Sequence, residues 1–577
     1  VLGLTTATGC STKTDNASTS SDSLCSKTTI LASMQKAGTA EAPATEAGAA
    51  NAGTPTTDLN GIQIPPRRAL DFAPFESAIK QFDESKYAAI DTLVGTATIP
   101  EISAALANKK VTATELVTYY AARIQRYDAN KLNSVMELDP TALLQAKAAD
   151  AFITKCSSAS PMLGIPVLLK DNITAGPSTH TTAGAAVLAD WRPPSEARLV
   201  TNLRSAGAIV LGKTNMSEWA NYMDRTMPNG YSVVGGQTRN PYAGNETYGS
   251  SSGSAVAASA RFAALTVGTE TQGSLILPAQ INSAVTIRPS GGLISQAGII
   301  PLYARQDTAG PMAQNVTDLA YGLNAMVGPD SADPRSKDAA AGHKIDFVAA
   351  LKIDPSVKIG VPITAVSDLG GAESGSPAGP DDIAGQLKEQ EIEARKADIA
   401  LADALEAAGA TVVRLETVAS VPEGDITELL AAGFRSDIGK FLSSQKGTPV
   451  KSLAEIVAFN QAKPAERAPY GQGLLQDSEK STMTDAEILA KGAAVEAEAR
   501  KAVDEALTSN KVDVVFVESQ AYAQASTPAV AIRKGYNKEG VPKGATLIGR
   551  YLEDAKVLSA AFAVEKALHA WKPPVLK

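Results

Sequence analysis

"YGSSSGSAVAASARFAALTVGTETQGS", Tyr248 to Ser274, places two Ser/Gly-rich turns on either side of an apolar run. Turns of this composition let backbone approach a ligand closely, because small side chains take little room and glycine tolerates unusual φ/ψ. Between them "SAVAASARF" reads as a helix that returns the chain, and "AALTV" as a strand that feeds the second turn. A pair of surface loops would have the same composition, so the flanking sequence decides.

On both sides of this stretch, short β-branched or apolar runs alternate with longer helical patterns. The strand candidates are "GIPVLL", "AIVLG", "ALTVGT", "VKIGVP" (Val357 to Pro362), "ATVVRL" and "VDVVFVES" (Val512 to Ser519). Gln386 to Gly409 reads as a long Ala/Glu/Lys/Leu helix stopped by a glycine, a common terminator. "TIPE" (Thr98 to Glu101) and "TATE" (Thr112 to Glu115) both fit a capping box, in which the Thr and Glu side chains accept from each other's backbone N–H. After the second box Leu116, Tyr120, Ile124 and Tyr127 share one face, which predicts a core-facing helix. The alternation predicts an α/β fold with a sheet flanked by helices. "GGAESGSPAGPDD", Gly370 to Asp382, reads as an exposed loop inside that unit.

The 577 residues suffice for a large core, and 53 Lys and Arg against 61 Asp and Glu give a formal net charge of −8. With no dense Lys/Arg block, nucleic acid is excluded as an expected partner. Three cysteines, Cys10, Cys25 and Cys156, are too few for a disulfide scaffold or a paired thiolate zinc site, although Cys10 and Cys25 leave room for one bridge. His180, His343 and His569 lie far apart and outside metal-ligand spacing, so each reads as structural. No apolar run reaches the length of about 18 residues that a membrane-spanning helix needs. The start, "VLGLTTATGCSTKTDNASTSSDS", has a short apolar opening, a lipobox-like "ATGC" and a Ser/Thr/Asn-rich tail. Residues 1–60 are therefore expected as an exported-leader remnant and disordered tether, with a lipid anchor at Cys10, and residues 61–577 as one domain. An ordinary disordered N-terminus is an equal reading. The leader reading predicts a bacterial protein outside the cytoplasm, whether periplasmic, lipoprotein or secreted.

Three features carry chemistry. In "GIPVLLKDNITAG" Lys170 ends an apolar strand. A lysine desolvated there has a lowered pKa and serves as a neutral base, whereas an exposed lysine at a strand end is the ordinary alternative. "GTETQGS" sets Ser274 after Gly273 on a turn whose successive N–H groups suit an oxyanion hole, which needs donors aimed where charge develops. "YGSSSGS" adds a second group of hydroxyls.

In this order "GIPVLLKDNI", "YGSSSGSA" and "GTETQGSLILPA" resemble the amidase signature family, and "LRSAGAIVLGKTNMSEWAN", "QDTAGPMAQNVTDLA" and "GVPKGATLIGRYLEDAKVLSAAFAVEKAL" reinforce the match. The resemblance implies an α/β/α sandwich around a large mixed sheet, with a Ser-cisSer-Lys triad and no metal or cofactor. Carried over by position, Ser274 is the nucleophile, Ser250 the bridging serine after a cis peptide from Gly249, and Lys170 the base. The N–H groups of Thr271, Gln272, Gly273 and Ser274 match the oxyanion hole. The separation of the two serines, 274 − 250 = 24, is the family's own. Asn172, Tyr248 and Gly249 fall where substrate is bound, with scaffold roles as the alternative for Asn172 and Tyr248.

Two departures qualify the match. The family motif is close to GTDTGGSIRxPA, and here Glu270, Gln272 and Ile276 replace Asp, Gly and Arg. The usual Asp/Arg pair is therefore not expected as an ion pair, and Glu270 is left to backbone N–H groups or Ser/Thr hydroxyls. "GTET" without the Arg resembles the branch containing bacterial peptide amidases. Tyr248 and Ser252 also replace two glycines of GGSSGG. Asp171 is expected to orient the strand end, Thr269 to fix the turn and Asp307 to order a loop.

The expected activity is hydrolysis of small linear, aryl or peptide amides, and of esters; a urethanase acting on carbamates is the close alternative. A tRNA amidotransferase component that hydrolyses glutamine and a non-catalytic binding protein are the remoter readings. The expected partner is such a small molecule, on a monomer or homodimer. Met216 to Tyr231 and Gly433 to Gly473 are candidate pocket walls.

Overall fold

The computed structural model describes residues 26–39, 56–57, 63–64, 68–156, 160–244, 246–337, 345–363 and 395–577. Among these, one sheet has eleven strands: β1 Val135–Leu138, β2 Pro166–Lys170, β3 Ile209–Thr214, β4 Leu265–Glu270, β5 Val285–Arg288, β6 Thr308–Ala313, β7 Lys358–Pro362, β8 Thr411–Leu415, β9 Val514–Val517, β10 Ala529–Tyr536 and β11 Pro542–Ile548. Their order is β8-β7-β9-β11-β10-β5-β6-β4-β2-β3-β1. β2 is parallel to β3 and β4, and β7 is parallel to β8 and β9. The other neighbours are antiparallel. The sheet is thus mixed, as the resemblance implies. All six strand candidates form, and β1, β5, β6, β10 and β11 are additional.

The helices that matter for the site are α1 Lys27–Gly38, α2 Ile99–Ala107, α3 Ala113–Tyr127, α4 Ala142–Lys155, α5 Ser252–Ser259, α6 Ile276–Ile281, α7 Val316–Met326 and α8 Asp554–Leu568. Both capping boxes form; in the second, Glu115 N–H donates to Thr112 Oγ1 at 3.1 Å and Thr112 N–H to Glu115 Oε2 at 2.9 Å. Leu116, Tyr120 and Ile124 are buried and Tyr127 is half-buried, as that face predicts. β9 shows why the core has two sides: Val514 and Phe516 join the core that holds α7 and α8, while Val515 and Val517 join the one that holds α6. Successive side chains of a strand point to opposite faces, so helices must cover both. No described helix is long and apolar enough to cross a membrane.

β2, β4 and β5 end at one edge of the sheet. β6 lies between β4 and β5 and is antiparallel to both, so β4 and β5 run in the same direction, and β2 is parallel to β4. Their last residues are Lys170, Glu270 and Arg288. The carboxyl edge of an α/β sheet is where such folds bind ligands.

The tether expected over residues 1–60 is corrected at α1. Ser26 caps this helix, its Oγ accepting from Thr29 N at 3.2 Å, and Ile30 and Met34, one turn apart, are buried where α1 packs on α4. Gln35 Nε2 donates to Glu196 Oε1 at 2.9 Å. An i, i+4 apolar pair inside a Ser/Thr-rich segment is enough to dock a short helix on a preformed core. The Gln386–Gly409 helix is present over 395–407, with Gly409 at φ +89°. The Gly370–Asp382 loop and His343 lie outside the described residues.

Cys156, at the C-cap of α4, is disulfide-bonded. Cys10 and Cys25, and with them the bridge the sequence left room for, lie outside the described residues. Cys156→Ser should lower stability by about 2–4 kcal/mol. The check is a lower thermal midpoint than wild type without reductant, and equal midpoints with it.

Candidate active site

Lys170 is fully buried at the end of β2. Its Nζ donates to Ser250 Oγ at 2.7 Å, to Ser251 Oγ at 2.9 Å and to the Thr269 carbonyl at 3.1 Å. These are neutral acceptors, and Lys170 makes no ion pair among the described residues. Burial pushes its pKa down to about 7, against the upward pull of the more distant Asp307 and Glu270 carboxylates. A neutral amine is therefore populated near neutral pH, because desolvation penalises the charged form.

The serine turn closes over this amine. The Gly249–Ser250 peptide is cis. Ser217 N–H donates to the Ser250 carbonyl at 3.1 Å, and Ser251 N–H donates to the Ser274 carbonyl at 3.2 Å, which ties the two turns of the opening stretch together. Ser251 Oγ donates to the Thr269 carbonyl at 2.9 Å and accepts from Thr269 N–H at 3.2 Å, so this hydroxyl is fully engaged. Ser250 Oγ accepts from the Lys170 ammonium, and once the amine is neutral its lone pair is free to accept the Ser250 hydroxyl proton instead. Gly249 packs so tightly that a Cβ would lie 2.3 Å from Ser217 Oγ. Tyr248 has φ 48°; its carbonyl accepts from Ser252 Oγ, and the residue is 39% exposed.

The second turn leaves donors free. Among the described residues, the N–H groups of Gln272, Gly273 and Ser274 donate to no protein acceptor. Ser274 itself is 7% exposed, and its hydroxyl has no hydrogen-bond partner among them, Ser250 included. Thr271 is held from both ends, its hydroxyl donating to Asp307 Oδ1 and its carbonyl accepting from Gln306 Nε2 at 2.9 Å. Gly273 has φ +73°, which an L side chain rarely adopts, and a Cβ there would also lie 2.6 Å from Gln520 Oε1. Gln272 Nε2 donates to Glu423 Oε2 at 3.1 Å, at the surface.

Behind the turn, the expectation for Glu270 is half corrected. Its Oε2 accepts from Leu275 N–H at 2.7 Å and Ile276 N–H at 3.1 Å, as foreseen for backbone donors. An ion pair also forms: Glu270 Oε1 lies 3.1 Å from Arg288 Nε, both side chains fully buried. The angle there is poor, so Oε1 and Nε make a charge contact without an aligned hydrogen bond. Arg288 Nη2 donates to the carbonyls of Gln306 at 2.6 Å and Ala523 at 3.3 Å. An arginine two strands away thus replaces the one absent at Ile276.

The remaining candidates are tied to neighbouring residues. Asp171 pairs with buried Lys213 at 3.3 Å and accepts from Thr182 N–H at 3.0 Å. Asn172 Nδ2 donates to Thr269 Oγ1 at 3.0 Å and the Ile300 carbonyl at 3.3 Å. Asp307 Oδ2 accepts from Leu302 and Tyr303 N–H at 2.9 and 3.1 Å, ordering that loop. His180 Nδ1 lies 2.8 Å from Glu137 Oε1, and His569 ends α8 in the left-handed region. Sequence reasoning missed Ser251, Ser217, Lys213 and Arg288; only Ser251, inside "YGSSSGS", had a local signal. The two candidate wall segments do meet: Met216, Trp219 and Met227 share an apolar cluster with Phe434, Ile438 and Leu453. No group of three or more His, Cys, Asp or Glu suited to a metal occurs among the described residues.

Residues 115–558 match the protein family described as Amidase. The chain is 32% identical over 493 residues, 83% of this chain and 91% of the relative, to an Arabidopsis thaliana protein named as a probable amidase. It is 30% identical over 512 residues, 82% of this chain and 97% of the relative, to a glutamyl-tRNA(Gln) amidotransferase component of Ralstonia nicotianae. The structure resembles an amidase family protein of Bacillus anthracis, with TM-score 0.77 and 34% identity over 87% of this chain and 97% of that one. It also resembles native peptide amidase of Stenotrophomonas maltophilia, with TM-score 0.72 and 32% identity over 84% and 99%.

Arg288→Met would leave Glu270 buried without its counter-ion and should destabilise the fold by about 3–5 kcal/mol. The double variant Glu270→Gln/Arg288→Met should lose less than this single variant in denaturant unfolding. Equal or greater loss would show that the two side chains are not coupled.

Proposed function

The chain belongs to the amidase family, and from that premise we propose that it hydrolyses carboxylic amide C–N bonds through an acyl-enzyme on Ser274. The observation that carries this reading is the buried, uncompensated Lys170 hydrogen-bonded to Ser250. Neutral Lys170 takes the Ser250 proton as Ser250 takes that of Ser274, and Ser274 Oγ attacks the carbonyl carbon. The negative charge that develops on the carbonyl oxygen is received by the free N–H groups of Gln272, Gly273 and Ser274, with Thr271 completing the turn. Ser250 then returns a proton to the leaving nitrogen as the C–N bond breaks, and water cleaves the ester by the reverse relay. Catalytic hydrogen bonds often tighten only around substrate, and the Ser274 hydroxyl is unengaged and ready for that step.

The substrate class we favour is a small linear, aryl or peptide amide, on the similarity to peptide amidase. Esters follow as easier acyl donors, and carbamates are the alternative on the same acylation chemistry. Exposed Tyr248 and the 216–231 and 433–473 segments are the proposed pocket walls. The non-catalytic reading rested on a lost Asp/Arg pair, and the Glu270–Arg288 contact removes that ground. The glutaminase reading has support from the amidotransferase relative; it would require partner chains for activity. A location outside the cytoplasm is supported by the disulfide at Cys156, since disulfides persist in oxidising compartments.

The test is turnover of a peptide amide, an anilide, an aryl ester and a matched carbamate by the purified chain alone. Ser274→Ala should abolish all serine-dependent turnover, and activity near wild type would remove the proposed nucleophile. Lys170→Ala should slow acylation by roughly 10²- to 10⁴-fold. Lys170 is active when deprotonated, so its lowered pKa predicts a rate that rises with pH through about 7. A profile flat from acid to alkaline pH would sink the role of Lys170 as base.

A further inference from the structure

A cavity of about 290 Å³ lies beside β5 and β10, on the face of the sheet that carries α7 and α8. Ser274 leads into α6 on the opposite face, so this space is separate from the catalytic turn. Val285, Ile532 and Leu568 give it apolar walls, and Arg533, Glu565 and Trp571 give it polar ones.

Its hydrogen-bond balance is one-sided. Arg533 is 6% exposed. Its Nη2 donates to the Gln314 carbonyl and lies 3.6 Å from Glu565 Oε1, while its Nη1 is buried with no partner. Trp571 Nε1 is a second buried donor with no partner. Glu565 is already engaged, both oxygens accepting from Val316 N–H at 3.0 and 3.1 Å. Among the residues lining the cavity, the only buried side-chain polar atoms left unpartnered are therefore these two donors. Lys566, on the same wall, makes no ion pair among the described residues.

An unmet buried donor is expensive, and native structures satisfy such groups with protein, water or ligand. A water can pair either donor, but an acceptor that carries an apolar body would in addition cover Val285, Ile532 and Leu568 on the walls of this half-open space. A planar carboxylate supplies two acceptors, and charge-assisted bonds to a guanidinium are among the stronger ones. We propose that this cavity is a second ligand site, taking a small monocarboxylate with an aliphatic or aromatic body, its oxygens accepting from Arg533 Nη1 and Trp571 Nε1. The proposal is independent of the role of Ser274.

Benzoate is a suitable probe. The chain has three tryptophans, Trp191, Trp219 and Trp571, so a nitrogen-15 NMR spectrum of the full chain holds three indole N–H resonances, and Trp571→Phe identifies one of them. Millimolar benzoate should shift that resonance saturably, and uncharged benzyl alcohol should leave it in place. Arg533→Gln should weaken the response by about tenfold or more, the scale of a lost charge-assisted hydrogen bond. Should that variant fail to fold, calorimetry with Trp571→Phe should show weaker benzoate binding than wild type. A Trp571 resonance that stays fixed, moves in step with the other two, or responds equally to inorganic phosphate would overturn the proposal.

Discussion

A lysine buried with no counter-ion among the described residues is the constraint on which the site turns. Taking an ammonium out of water costs several kcal/mol unless a carboxylate or several dipoles compensate it. Around Lys170 the compensation comes from two hydroxyls and one carbonyl, all neutral. That environment lowers the pKa instead of trapping the charge. It also fixes where the serine turn must run, since Ser250 and Ser251 have to reach the end of β2 together. The tight approach of Gly249 to Ser217 and the carbonyl contact between Ser251 and Ser274 follow from that requirement.

Lys213 supplies the contrast. It sits on β3, the strand parallel to β2, and is just as buried. Asp171 pairs with it at 3.3 Å, and the His180 carbonyl and Thr181 Oγ1 accept from its Nζ at 3.1 and 3.0 Å. Burial lowers its pKa as well, against the upward pull of the adjacent Asp171 and of Glu137, and the net shift stays downward. Two lysines on neighbouring strands therefore differ in their electrostatics, because among the described residues one has a carboxylate partner and the other has neutral acceptors only. The carboxylate beside Lys170 in sequence, Asp171, is spent on Lys213.

Much of this was legible in the sequence and some was not. Lys170, Ser250 and Ser274 are singled out by three stretches that resemble the family in order, each ambiguous alone, and the structure brings Lys170 and Ser250 together. The two capping boxes and the core face of α3 are local. β6 was illegible: "TAGPMA" carries a glycine and a proline, and only pairing with β4 and β5 makes it a strand. α1 was hidden because composition outweighed a single apolar pair. Arg288 had no local signal, since it reaches Glu270 across β6.

That last case bears on how motifs fail. Read along the chain, losing the arginine at position 276 looks like the loss of an ion pair. Read across the sheet, β4 and β5 end at the same edge, so an arginine closing β5 is delivered to the carboxylate closing β4. The electrostatic requirement is on the buried carboxylate, which must find positive charge or donors. It places no requirement on which strand provides them. Glu270, one methylene longer than the usual Asp, holds two backbone N–H groups with one oxygen and faces Arg288 with the other. The turn that carries Ser274 is thus anchored by the same physics through a different residue, and a missing motif letter is weak evidence of a missing function.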